Sequence, residues 1–98
     1  KRAQFVSRDN QGNYVVELKR SAIKELTALD PKLRERIRDI IDALAENPRP
    51  RGAIKLKGNF DAWRIRVADY RIIYEIRDGL LLIVVLRVAK RSDAYFSN

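Results

Sequence analysis

Apolar and polar residues alternate along WRIRV, with Trp63, Ile65 and Val67 on one side and Arg64 and Arg66 on the other, the pattern of a half-buried strand. Past Ala68 and Asp69, YRIIYEI predicts a second strand folded back on the first. A tight turn sets Arg71 opposite Arg66, and the same register puts Ile72 opposite Ile65 and Tyr74 opposite Trp63, because cross-strand partners share a face. The hairpin then has an aromatic and aliphatic side for a core and a side carrying Arg64, Arg66 and Arg71. A single arginine on a strand is usually an ordinary solvated residue. Three on one rigid face repel one another and suit a polyanion laid across them.

Residues 1–13 read as an arm, in which AQFVS is either a short strand or foreign to the domain and DNQGN is dense in turn formers. YVVELK, residues 14–19, predicts the first strand of the main sheet. Ser21 is the expected N-cap of a helix reaching about Leu29, with an apolar stripe of Ile23, Leu26 and Leu29. Asp30 and Pro31 mark the start of a second helix running to about Glu46, since Asp caps and Pro at the first position lacks an N–H that would have no partner. Leu33, Ile37, Ile40, Ile41 and Leu44 form its buried face. Arg34, Glu35, Arg38, Asp39 and Asp42 carry mixed signs and read as its solvated face. Residues 47–52, NPRPRG, form an exposed loop whose Arg49 and Arg51 can reach phosphate. In AIKLKG, Ile54 and Leu56 are expected to point inward and Lys55 and Lys57 outward. Asp78-Gly79 predicts a two-residue hairpin turn, and LLLIVVLRV a central strand covered on both faces. That turn sets Leu82, Val84 and Leu86 on the side of Arg71 and Ile73, so the basic side is partly apolar and calls for a cover: tail, arm or partner protein.

Composition narrows the chemistry. Ninety-eight residues make one compact domain, here residues 14–98 behind the arm, of α+β class: an N-terminal strand and a two-helix hairpin packed on one face of a mainly antiparallel four- to five-stranded sheet. The chain has no Cys and no His, which removes disulfides, thiolate nucleophiles, the usual zinc ligand and the side chain that titrates near neutrality. No metal and no cofactor is expected. No apolar run is long enough to span a membrane, and neither a signal peptide nor an initial Met is present, so a cytoplasmic protein, trimmed or tagged at its start, is the expectation. The formal charge is +8, and most of the excess lies in residues 49–98, where eleven Lys or Arg face five Asp or Glu. A field of that sign attracts nucleic acid or an acidic protein.

The order strand, helical hairpin, KLKG, WRIRVADYRIIYEI, apolar strand and AKRSDAY over residues 14–98 resembles the RelE family of toxins from toxin-antitoxin pairs. The resemblance implies a RelE-like fold and an mRNA interferase: a ribosome-dependent endoribonuclease that blocks translation by metal-independent cleavage of mRNA at the A-site codon, beside 16S rRNA. It also implies an acidic antitoxin that wraps the basic surface in a hetero-oligomer. By position, Arg64 and Arg66 match the paired basic residues of the first hairpin strand, Arg71 the arginine after the turn tyrosine, and Arg91 and Tyr95 the tail motif. Lys55, Lys57, Lys90, Arg49 and Arg51 are the expected RNA and phosphate contacts. RelE-like enzymes often carry Lys at the positions of Arg64 and Arg66, and many relatives carry His at that of Lys90. The first departure keeps charge but not a proton acceptor, since Arg stays protonated, and the second removes the obvious base.

RNA brings its own nucleophile, the 2'-hydroxyl, so an enzyme must orient the ribose, stabilise the added charge on phosphorus and assist two proton transfers. Arginines suit the charge stabilisation. Tyr95 can stack on a base, exchange a proton beside Arg91, or simply pack the tail. Lys90 is a phosphate contact or a base of lowered pKa. Two other functions fit the same residues: a ParE-like inhibitor of DNA gyrase and a non-catalytic basic nucleic-acid-binding module.

Overall fold

A computed structural model of the chain describes residues 3–5, 14–58 and 61–90. The elements run β1 (Ala3–Phe5), β2 (Val15–Leu18), α1 (Arg20–Thr27), α2 (Pro31–Ala43), β3 (Ile54–Lys55), β4 (Ala62–Val67), β5 (Tyr70–Arg77) and β6 (Leu82–Lys90). They build one sheet in the order β1-β2-β6-β5-β4-β3. Every pairing is antiparallel except β2 with β6. This is the expected α+β architecture, with the three-residue β1 of the arm adding a sixth strand at one edge.

Both helices cover one face. Ala22 and Leu26 of α1 and Ile37 and Ile41 of α2 pack with Val16, Ile65, Ile72, Tyr74, Val85 and Val88 into the main core. Asp30 caps α2 as expected, its carboxylate accepting from the Leu33 N–H at 3.0 Å. Ser21 does not cap α1. That position falls to Lys19, which offers no side-chain bond, while the Ser21 hydroxyl donates to the Leu86 carbonyl at 2.9 Å. Arg34, expected to be merely solvated, donates to the carbonyls of Thr27 and Leu29 at 3.3 and 3.2 Å and so closes the C-terminal end of α1.

The hairpin has the register expected of it: Trp63 opposite Tyr74, Ile65 opposite Ile72, Arg66 opposite Arg71. Val67 pairs with Tyr70 across a two-residue turn in which Ala68 is left-handed at φ 55°. A β-carbon is unfavourable there. Ala68→Gly is therefore expected to raise stability by about 1 kcal/mol, read as the midpoint of urea unfolding, despite the entropy glycine adds to the unfolded chain.

The next connection differs from the two-residue turn expected. Arg77 pairs with Leu82, so four residues intervene, Asp78–Leu80 forming a single 3-10 turn and Leu81 adopting φ 50°. Leu80 and Leu81 are thus loop residues, 68% and 48% exposed, rather than the start of the strand. β6 is central, and it is buried on both faces at Ile83, Val84, Val85, Val88 and Ala89.

Candidate nucleic-acid interface

The face away from the helices carries the arginines. Strand alternation and register put Arg64 and Arg66 of β4 beside Ile73 and Arg71 of β5 on this face. Arg66 is exposed, and Arg64 and Arg71 are half-buried. Between them Ile73 and Ala89, both buried, join Leu56 and Leu86 in a second, small apolar cluster. Three guanidiniums therefore border an apolar floor, against which their methylene stems can lie, with Arg66 the exposed one and the Arg71 Nε buried. The apolar part of the basic side is covered in part by the chain's own Leu56. Arg66 directly opposite Arg71 is a like-charge cross-strand pair, which costs stability in the absence of an anion.

The other expected contacts are distributed differently. Lys55 pairs with Trp63, so its strand position belongs to the helix side of the sheet; the outward-facing partner of Arg64 in that short strand is Ile54, 51% exposed instead of inward. Lys90 pairs with Tyr70 and likewise belongs to the helix side, because the alternation that turns Arg71 one way turns Tyr70 the other. Arg51 and Lys57 are exposed in turns on either side of β3. Arg91 and Tyr95 lie outside the described residues.

Arg49 is engaged elsewhere. Its Nη2 meets Asp78 Oδ2 at 2.8 Å, its guanidinium stands 5.4 Å from the centre of the Trp63 ring, and Tyr14 donates to Asp78 Oδ1 at 2.6 Å. Asp78 follows the far end of β5, seven residues from Arg71, or roughly 23 Å at the rise of a strand. Arg49 is anchored there instead of beside the arginine face. Hydrogen bonds from Arg49 and Tyr14 hold the Asp78 carboxyl below the ordinary carboxylate value of 3.8. A carboxyl lowered by folding contributes stability that is fully present above that value and is lost as pH falls through the lower folded one. The stability gap between the wild type and Arg49→Ala should accordingly be full near neutrality and close on acidification below about pH 4. Urea titrations at a series of pH values measure it, and a gap that does not change with pH would refute the assignment.

Sequence reading missed Glu25 and Arg87. Glu25 of α1 receives Arg87 Nη2 at 2.6 Å and the Val88 N–H at 2.7 Å, alongside the strand that borders Arg71. Sixty-two positions separate the pair, and the only visible signal was a lone cation in an otherwise apolar strand.

Residues 16–95 match the model of a family described as the ParE toxin of the type II toxin-antitoxin system parDE. The chain belongs to the RelE/ParE toxin family. Its sequence is 33% identical over 86 residues to an Escherichia coli RelE-like toxin protein, covering 84% of this chain and 90% of that one. It is 30% identical over the same length to the E. coli mRNA interferase toxin RelE, with the same coverage. Among solved structures, the archaeal RelE-RelB complex from Pyrococcus horikoshii superposes with a TM-score of 0.73 at 31% identity, covering 81% of this chain and 96% of that one. The isolated E. coli RelE toxin superposes at 0.70 with 28% identity, covering 79% and 83%. Two helices on one face of a mixed sheet are thus the RelE fold, and this RelE-like toxin of a toxin-antitoxin system bears its arginines on the face the helices leave open.

Proposed function

We propose that this RelE-like toxin is an mRNA interferase that cleaves mRNA on the ribosome, in the cytoplasm, without a metal ion. The observation that carries the reading is the Arg66–Arg71 cross-strand pair with Arg64 on the same face. Cations held opposite each other repel, and a phosphodiester laid across them would relieve that repulsion. The names of relatives at about 30% identity point the same way.

In this proposal the 2'-hydroxyl oxygen attacks phosphorus and gives up its proton, while the bond from phosphorus to the 5'-oxygen breaks and that oxygen takes up a proton. The products are a 2',3'-cyclic phosphate and a 5'-hydroxyl. Arg71, half-buried against the apolar floor, stabilises the charge that builds on the phosphoryl oxygens, where water is partly excluded and each donor counts for more. Arg64 and Arg66 hold the flanking phosphates. Neither can accept a proton, so the proton transfers fall to the tail, for which the family likeness nominates Tyr95, with Arg91 as a further phosphate ligand. Arg51 and Lys57 extend the grip on RNA at the rim. An acidic antitoxin laid over the arginine face would neutralise the toxin, in keeping with the RelE-RelB complexes among its structural relatives.

A translation extract tests the reading: added protein should cut mRNA within codons, and continued normal protein synthesis would discard it. The match to a ParE family model favours a second reading, inhibition of DNA gyrase. Loss of supercoiling activity with intact mRNA would select it. Salt-dependent RNA binding with neither effect would leave a non-catalytic binding module.

A further inference from the structure

Among the described residues, β6 loses its strand neighbour on the β2 side half-way along. β2 pairs with it only as far as Leu18 opposite Val85, the Lys19 N–H closes on the Val85 carbonyl at 2.9 Å, and the chain then turns into α1. On its other side β6 continues beside β5 to Lys90 opposite Tyr70, after a register shift between Ile73 and Tyr74 that leaves Leu86 as an extra residue. Among the described residues, the half of β6 that borders Arg71 therefore has a bulge at its start and an edge without a strand along its side. An unpaired strand edge of this kind is usually the loosest part of a sheet.

Helix α1 fills the missing place with side chains. The Ser21 hydroxyl donates to the Leu86 carbonyl at 2.9 Å, and Glu25 Oε1 accepts from the Val88 N–H at 2.7 Å. The same carboxylate receives Arg87 Nε at 3.1 Å on Oε1 and 2.9 Å on Oε2, and Arg87 Nη2 at 2.6 Å on Oε2. A carboxylate suits the post because it only accepts, and its two oxygens take the fork of a guanidinium together with a backbone N–H. Val88 and Ala89, once held, are the cross-strand partners of Ile72 and Arg71.

We propose that Glu25 is a positioning residue for the arginine face: acting as a surrogate strand partner, and through its clamp on Arg87, it fixes the bulged half of β6 and so the place of Arg71. The effect on cleavage rests on the nuclease reading, whereas the effect on Arg71 does not. Glu25→Gln retains an acceptor for Val88 but loses the charge that holds Arg87, and Glu25→Ala loses both.

The test combines NMR with kinetics on 15N-labelled protein, at a temperature where circular dichroism shows each variant fully folded. In Glu25→Ala the Val88 amide should exchange with solvent at least about 100-fold faster, as expected when a backbone hydrogen bond of more than about 2.7 kcal/mol in local opening is lost. The Arg71 Nε–H resonance should move, and kcat for mRNA cleavage should fall about tenfold with KM little changed. Glu25→Gln should recover the Val88 protection but, with the clamp on Arg87 loosened, only part of the rate. An Arg71 resonance unmoved in Glu25→Ala would overturn the proposal, since a merely stabilising residue would leave it in place. Should the wild type prove unable to cut mRNA, the nuclease reading falls and the NMR arm alone decides for or against Glu25.

Discussion

Arg71→Ala is expected to lower mRNA cleavage in a translation extract by roughly 100- to 1,000-fold, the loss seen when one preorganised donor to a developing oxyanion is removed. The size follows from placement. Arg71 is half-buried beside Ile73 and Ala89, so its charge acts across a medium less screening than water. Arg66, directly opposite and exposed, should matter less, and Arg66→Ala should leave stability unchanged or raise it by up to about 1 kcal/mol as the like-charge pair is relieved. A loss of activity alongside retained stability is the signature of a binding surface, whereas a structural cation would lose both. The rate of mRNA cutting and the urea midpoint of each variant measure the two effects. Undiminished cutting by Arg71→Ala would remove Arg71 from the site.

The largest expected effect on the fold lies at Tyr74. Its side chain is fully buried in the main core, and its hydroxyl donates to the Pro48 carbonyl at 2.7 Å, tying the proline loop to the middle of β5. Tyr74→Ala should cost about 3–5 kcal/mol, the range for deleting a large buried ring, a large part of the roughly 5–15 kcal/mol that holds a domain together. Tyr74→Phe keeps the ring and strands the Pro48 carbonyl, for a loss of about 1–3 kcal/mol. Both should speed tryptic cutting after Arg51, because the loop loses its anchor; the Arg49 bond, to Pro50, resists trypsin in any state. Burial also pushes the Tyr74 hydroxyl up to about 12 from its ordinary value of 10.0. A group raised by folding contributes stability that is full below the ordinary value and is lost as pH rises through the folded one. The wild type should therefore weaken between pH 10 and about 12, and Tyr74→Phe should lack that component of the decline. Urea midpoints across this range check the sign, and equal alkaline slopes for the two proteins would contradict it.

Much of the hairpin was legible before any coordinates. A strand has a period of two, so Trp63, Ile65 and Val67 against Arg64 and Arg66 define two faces, and a tight turn leaves little freedom for the register of Tyr70 to Ile76. Asp30 and Pro31 were equally plain, because a cap and a missing N–H act within a few residues of where they are written. The Asp78-Gly79 doublet misled for the converse reason: it is compatible with a two-residue turn, yet Tyr14 and Arg49, remote in sequence, bind the Asp78 carboxylate within a longer loop. Ser21 misled similarly, its hydroxyl going to β6 in place of its own helix.

The sequence by itself determined the two helices, the hairpin and the common face of Arg64, Arg66 and Arg71, since each depends on neighbours a few residues apart or joined by one short turn. Only the tertiary structure decided that Lys55 and Lys90 belong to the helix side, that Arg49 is held by Asp78, and that Glu25 completes the edge of β6. Those outcomes follow from which strands lie side by side and where a helix passes an open edge, and a charged side chain takes whatever partner that packing brings within about 3 Å.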